Sequence, residues 1–282
     1  MPDEVTEGTF EELSYLRKEV RRLRRSLNLL TPRLDIMLKR RGFRIFKKEP
    51  MEFLLVPGPE LIDEYYAMLA KYSFRLFLRD VIKHQDFFAL EDVTRYATSG
   101  VTAEYVKYLR RAGLAGTKGD GYVLARHVKS FGETLEWYVS EVLEREFGAE
   151  AVWGVKFKRP GVGGDYDVIA KFDGSILYTE VKSSPPKQIY ESEITAFLDR
   201  VMDLSPEISI FFMDTELRMK DKIVPMFEEE LKRRAAGTVT VQRMEKELFQ
   251  AGERIFIINS KDSIVRNMET VLNRYFRKFN GI

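Results

Sequence analysis

Cysteine is absent from this chain, and histidine occurs only as His84 and His127. The first absence excludes disulfides, thiolate metal sites and a cysteine nucleophile. The second argues against His-rich zinc centres and histidine-based metal nuclease sites. No apolar run approaches the ~18 residues of a membrane span, and no secretory leader is evident. A soluble, cytoplasmic protein without membrane contact is therefore expected. Neither sign of charge dominates: 46 Lys and Arg face 44 Asp and Glu, a net +2. Any affinity for nucleic acid must then come from local basic patches. Internal repeats and low-complexity segments are also missing. What remains is a chain of 282 residues, 44% apolar and 32% charged, with room for a sizeable core and more than one domain.

The most informative stretch runs from Gly163 to Ser184. Two β-branched, apolar-rich segments, Tyr166–Phe172 and Ile176–Lys182, flank Asp173-Gly174, a dipeptide that favours a tight hairpin turn. If that pair is the turn, Phe172 faces Ser175, and stepping outward brings Asp167 opposite Glu180. Directly opposed residues have Cβ atoms about 4.5–5.5 Å apart, where like charges repel. Lys182, two residues beyond Glu180, shares its face by the period of a strand. Two acids and an amine at one end of a hairpin suit a divalent cation. Mg²⁺ prefers hard carboxylate oxygens, keeps several waters and accepts substrate phosphate oxygens. A metal here lowers the pKa of a bound water, and Lys182 orients that water or stabilises developing negative charge. Gly163 and Gly164, lacking side chains, let a nucleic-acid backbone approach. The plainer reading of Glu-x-Lys on a strand is a solvated acid–lysine pair on a surface hairpin.

Asp167 followed across a hairpin by Glu180-Val181-Lys182 resembles the PD-(D/E)xK nuclease superfamily, which includes type II restriction enzymes, archaeal Holliday-junction resolvases and methyl-directed restriction endonucleases. The wording Gly-Asp-Tyr-Asp-Val-Ile-Ala, then Leu-Tyr-Thr-Glu-Val-Lys-Ser, is most similar to the resolvase and methyl-directed branch. The proline that often precedes the aspartate is replaced by Tyr166. The resemblance covers roughly residues 130–215. It implies a restriction-endonuclease-like α/β fold, a mixed sheet flanked by helices. It also implies hydrolysis of DNA phosphodiester bonds with Mg²⁺, Mn²⁺ serving as substitute, and no small-molecule cofactor. Asp167, Glu180, Lys182 and Glu136 are the implied catalytic residues; Asp167, Glu180, Val181 and Glu136 are the implied metal set.

Glu136 enters through the helix expected over Ser130–Phe147, where Leu135, Tyr138, Val139, Val142 and Phe147 recur at helical spacing. Glu136 lies at the edge of that buried face. The resembling family carries Gly-x-x-apolar-Glu on the helix before its catalytic strands, and Gly132-Glu133-Thr134-Leu135-Glu136 matches it. Glu133 is the rival, but it stands in the first turn, where capping and the helix dipole already account for an acid.

The rest of the chain is read from the N-terminus. Thr9 and Glu12 form a capping box, and Leu13, Leu16, Val20, Leu23, Leu27 and Leu30 make a heptad seam beside the basic residues 17–25. That seam serves a homodimer, a DNA-touching helix or internal packing. Pro32 opens a further helix closed by Gly42, and Phe43–Lys48 with Phe53–Val56 reads as a hairpin turning at Glu49-Pro50. Helices are expected at Glu60–Lys71 and Phe74–Lys83. A short helix at Ala89–Ala97, a helix at Thr102–Ala112 capped by Thr102, and a hairpin at Leu114–Leu124 resemble a winged helix-turn-helix. That reading offers Lys107, Tyr108, Arg110 and Arg111 to nucleic acid, with Lys118 on the wing; a purely structural role is the alternative. Beyond the catalytic hairpin, a helix at Lys187–Leu204 places Lys187, Gln188 and Tyr190 near the site. A strand at Ile208–Met213, a helix at Asp221–Arg234, strands at Thr238–Gln242 and Arg254–Asn259 and a helix at Asp262–Phe279 complete the chain. The expected divisions are 1–58, a winged-helix-like 59–128, and a nuclease domain 129–282 with its core at 130–215 and an extension at 216–282.

Overall fold

The computed structural model describes residues 16, 19, 23, 31–158, 162–234 and 240–279, without the side chains of residues 278 and 279. Its centre is an eight-stranded mixed sheet in the order β1-β4-β5-β6-β7-β10-β9-β8. The strands are β1 Ile45–Lys47, β4 Glu150–Phe157, β5 Tyr166–Phe172, β6 Ser175–Lys182, β7 Ile208–Met213, β8 Val241–Glu245, β9 Leu248–Ala251 and β10 Ile255–Asn259. A separate two-stranded sheet pairs β2 Ala115–Lys118 with β3 Gly121–Leu124. β6, β7 and β10 run parallel, while β1, β4, β5 and β6 are antiparallel in succession. Every residue of β7 is buried, as expected of a strand covered on both faces.

Helices flank this sheet on both sides. They are α1 Leu34–Arg40, α2 Ile62–Leu69, α3 Tyr72–Lys83, α4 Ser99–Arg111, α5 Gly132–Phe147, α6 Glu191–Leu204, α7 Ile223–Arg234 and α8 Ile264–Phe279. On one face, Phe197 of α6 and Phe227 of α7 meet Tyr178 and Phe211 of the sheet in edge and stacked ring contacts. The same core takes in Leu34, Met37 and Leu38 of α1. The opposite face is covered by α5, α8 and the helices of residues 59–128, whose apolar side chains form one continuous core with the sheet.

A buried ion pair fastens α3 to this sheet. Arg75 contacts Asp214, just past β7, through Nε at 2.9 Å and Nη2 at 2.8 Å, with side chains 1% and 0% exposed. Arg79 pairs with the other carboxylate oxygen.

Several expectations change. Phe53–Val56 is not a strand: Leu55 donates its N–H to Thr134 Oγ1, and its carbonyl accepts from Tyr65 Oη. Those side chains satisfy a buried backbone that would otherwise need a strand partner. The partner of Ile45–Lys47 is instead β4. Ala89–Ala97 holds only a 3₁₀ turn at Glu91–Val93, because Phe88 is drawn into extended pairing with Tyr122. Thr98, not Thr102, caps α4, accepting from the Val101 N–H. The helix expected from Lys187 begins at Glu191, after a 3₁₀ turn at Pro186–Gln188 and extended residues Ile189 and Tyr190. Strand β9 has no counterpart among the expected elements, and β8 takes up only Val241 and Gln242 of the expected strand, Thr238 and Val239 lying outside the described residues. Of the heptad seam, Leu16 and Leu23 are helical and half-exposed. Leu13, Val20, Leu27, Leu30, the capping box at Thr9 and the basic residues beside the seam lie outside the described residues. No described helix is long and apolar enough to cross a membrane.

Candidate active site

The hairpin pairs from Phe172↔Ser175 to Val168↔Thr179, the register expected from a turn at Asp173-Gly174. Asp173 takes the left-handed φ of 50° that this turn demands. One step beyond the last pair, the Asp167 carboxylate caps the ladder: its Oδ2 accepts the Val181 N–H at 2.7 Å. Glu180 is 3% exposed. Lys182 Nζ lies 2.9 Å from Glu180 Oε1 and 3.2 Å from Glu193 Oε1 of α6. The two acids and the amine therefore converge at one end of the hairpin.

Sequence reasoning missed two members of this cluster. Arg200 of α6 places Nη1 2.9 Å from Glu180 Oε2, and Tyr178 donates its hydroxyl to the same oxygen. Tyr178 carried a signal, since it stands two residues before Glu180 on the same face of the strand. Arg200 carried none, because only the packing of α6 on the sheet brings it there. Its guanidinium also explains Gly164. With φ of 93°, Gly164 holds a position where a Cβ would lie 2.5 Å from Arg200 Nη2. A second glycine opens the other side. Gly154 of β4 lies between Trp153↔Val168 and Val155↔Tyr166, across from Asp167, with φ of 57°. A Cβ there would meet Pro50 at 2.6 Å and lie 3.8 Å from Glu136 Oε2.

Electrostatics tie Glu136 to the hairpin. Burial raises its pKa to about 10, and the charges of Asp167, Glu133, Glu180 and Asp165 add to the effect. Burial likewise raises Asp167, followed by the charge of Glu180, against opposition from the Val181 N–H, Lys182 and Arg200. Burial alone would lower the pKa of Lys182, but Glu180 and Asp167 outweigh it, so the amine is held as ammonium. Glu133 is raised by burial too, but it faces Lys129, Glu52, Lys47 and Asp165. Of the two rival glutamates, Glu136 is the one coupled to Asp167 and Glu180.

The donor chemistry fits a hard divalent cation, since Asp167 and Glu136 are crowded carboxyls short of positive charge. The arrangement is not a ready-made cage: both Glu180 oxygens already face cations. Among the described residues, no group of three or more His, Asp or Glu is placed to hold a metal ion.

The remaining expected contacts are dispersed. Lys187 and Gln188 are exposed on the 3₁₀ turn after β6, Tyr190 is exposed beside them, and Gly163 is exposed before β5. On α4, Lys107 and Arg110 are exposed, Lys107 facing Glu104 at 3.7 Å. Arg111 pairs with Glu64 and lies over the Tyr108 ring. Lys118 donates to the Asp86 carbonyl. Tyr108 does not stand on an exposed face: it is 6% exposed and packs against Tyr65 and Phe74. Helical spacing turns it inward with Tyr105 and Leu109.

No family model matches the chain, and no curated protein matches its sequence. Among solved structures, Can2 from Sulfobacillus thermosulfidooxidans, in complex with cyclic tetra-adenylate, is similar at 15% identity and a TM-score of 0.48, over 85% of this chain and 60% of that one. Protein VC1899 from Vibrio cholerae is similar at 14% identity and a TM-score of 0.44, over 66% of this chain and 53% of that one. The chain thus spans less than two thirds of the length of either.

Proposed function

We propose that this chain is a divalent-cation-dependent nuclease that hydrolyses phosphodiester bonds in DNA, built on a restriction-endonuclease-like core. The observation that carries the proposal is the convergence of Asp167, Glu180 and Lys182 at the end of one hairpin, with Glu136 electrostatically coupled to them. The element order supports the core assignment: α5, three antiparallel strands, α6, then β7 parallel to β6.

Asp167, Glu180 and Glu136, with the main chain at Val181, would hold Mg²⁺ or Mn²⁺. When bound, the ion supplies charge neutralisation and a water of lowered pKa. The chain's own residues do the rest. The Val181 N–H fixes the Asp167 carboxylate, while Arg200 and Tyr178 fix that of Glu180. Lys182, held as ammonium between Glu180 and Glu193, stands ready to stabilise negative charge developing on a phosphoryl group. It acts there as a cation and not as the base.

The test is cleavage of duplex, branched and single-stranded DNA, and of RNA, with Mg²⁺ or EDTA. Cutting should require the cation and fall by about 10²–10³ in Lys182→Ala, the scale of losing one stabilising donor. Cutting that persists unchanged in both Asp167→Ala and Lys182→Ala rejects the proposal. The same panel separates DNA from RNA and linear from branched substrates.

A second reading, a DNA-binding scaffold that has kept the fold without activity, draws on the satisfied state of Glu180. Its signature is tight DNA binding with neither turnover nor calorimetric uptake of Mn²⁺. In both readings α4 and the β2–β3 hairpin would offer Lys107, Arg110 and Lys118 to nucleic acid as exposed cations. The half-exposed Leu16 and Leu23 fit a homodimer through residues 13–30, and a monomer by light scattering with and without DNA would exclude it.

A further inference from the structure

At the end of the sheet away from β1, a groove of about 590 Å³ lies between β8 and α8. Gln242 and Met244 of β8 line one side and Arg274 and Arg277 of α8 the other, with Glu245 the acid in the wall among the described residues. Arg274 is held in place by a buried polar group. Gln250, 5% exposed, donates its side-chain amide to the Glu253 carbonyl at 3.3 Å, which leaves its oxygen to accept Arg274 Nε at 3.2 Å. Arg243 of β8 stands apart from this set: paired with Phe249, it lies over that ring on the opposite face of the sheet, 3.5 Å from Glu247. Arg277 is exposed and makes no ion pair or hydrogen bond among the described residues.

An arginine anchored on its inner side presents its remaining N–H groups outward in a fixed fork, the geometry that matches phosphate oxygens. The groove wall adds the amides of Gln242 and Asn273, side chains able to read base edges as donor and acceptor together. We propose that this groove binds a single strand of nucleic acid, its phosphates on Arg274 and Arg277 and its bases towards Gln242 and Asn273. The choice of a nucleic-acid strand over other phosphate carriers rests on the nuclease reading. The arginine fork does not. None of these residues belongs to the catalytic hairpin, so the groove would be a second hold on the substrate.

The experiment measures binding of a fluorescent single-stranded oligonucleotide by anisotropy, in EDTA and over a range of salt. Arg274→Gln with Arg277→Gln should weaken binding about tenfold or more and lower the salt slope by roughly 1–2. Gln250→Leu, which keeps every arginine, should weaken binding by a smaller factor and leave the salt slope unchanged. Thermal melts of both variants show whether the fold is kept. Parent-like affinity and salt slope in the double-arginine variant overturn the proposal. So does displacement of the oligonucleotide by inorganic phosphate at an equal concentration of phosphate groups, which would mark a small-anion site. Cleavage of bis(p-nitrophenyl) phosphate, too short to bridge two sites, reports on the catalytic hairpin separately. If the parent fails to cleave it yet binds strands through the arginines, the nuclease reading falls and the groove stands.

Discussion

Glu136 shows what the site is short of. Its pKa, raised to about 10 first by burial and then by Asp167, means that at neutral pH the cation-free folded chain holds this carboxyl protonated. The unfolded chain ionises it near the usual ~4.3. A folded-state pKa above the unfolded one contributes stability that is full below the unfolded value and is lost as pH rises towards the folded one. Glutamine keeps the shape and never ionises, so Glu136→Gln should be more stable than the parent at neutral pH in EDTA, by roughly 1–3 kcal/mol. The gain should vanish as pH falls towards about 4. Mn²⁺ should stabilise the parent more than the variant, because the variant has lost one of the carboxyls that hold the ion. Urea unfolding across pH, with EDTA or Mn²⁺, measures all three effects. A variant weaker than the parent in EDTA at neutral pH would mean that Glu136 works in the folded chain as a paired anion.

Between elements, the sharpest constraint is the attachment of α3 to the strand ends. The Asp214 N–H donates to the Lys182 carbonyl at 2.8 Å, so the residue gripped by Arg75 and Arg79 also fixes the end of β6. Burial works against the Asp214 charge, but Arg75 and then Arg79 outweigh it and depress its pKa. A depressed folded-state pKa gives stability that is present above the unfolded value and lost as pH falls through the folded one. Arg75→Ala strands a buried carboxylate and should cost about 3–5 kcal/mol at neutral pH. The deficit should narrow in acid, where Asp214 is neutral in both proteins. Urea midpoints at neutral and acidic pH check this, and a deficit constant with pH would locate the loss in packing alone. Asp214 and Arg200 also mark the limit of what the chain's order reveals. Asp173-Gly174, Gly42 and Gly113 announce turns and helix ends through local backbone demands, and the alternation around Glu180 places Tyr178 and Lys182 on one face. Those signals sufficed for the hairpin and its register. Arg75 reaches Asp214, and β1 reaches β4, only after long stretches of intervening chain have folded. Sequence spacing says nothing about such pairs. The strand expected at Phe53–Val56 failed for a related reason, as the hydrogen bonds that replace its ladder come from Thr134 and Tyr65.

At the scale of the molecule, residues 59–128 and the large sheet are joined by a core and not by a linker. Tyr65 stacks on Trp137 with ring centroids 6.0 Å apart, and Tyr66 meets Tyr138 at 5.4 Å. Leu55 is hydrogen-bonded to Thr134, and the Arg75–Asp214 pair crosses the same junction. Independent folding requires each unit to bury its own apolar face. The face of α5 that carries Trp137 and Tyr138 is covered by the preceding residues, so a fragment starting at residue 129 would open that face to water and leave Asp214 unpaired. Fully burying each such side chain is worth about 1.5–3 kcal/mol, and the total stability of a domain is only about 5–15 kcal/mol. Losing two aromatic contacts and a buried ion pair together should therefore be enough to unfold the fragment. The intact chain should accordingly melt in one calorimetric transition with equal van't Hoff and calorimetric enthalpies. Two resolved transitions, or a soluble 129–282 fragment with sharp amide resonances, would show that the boundary near residue 128 is a true division and that the shared core is not needed to shape the site.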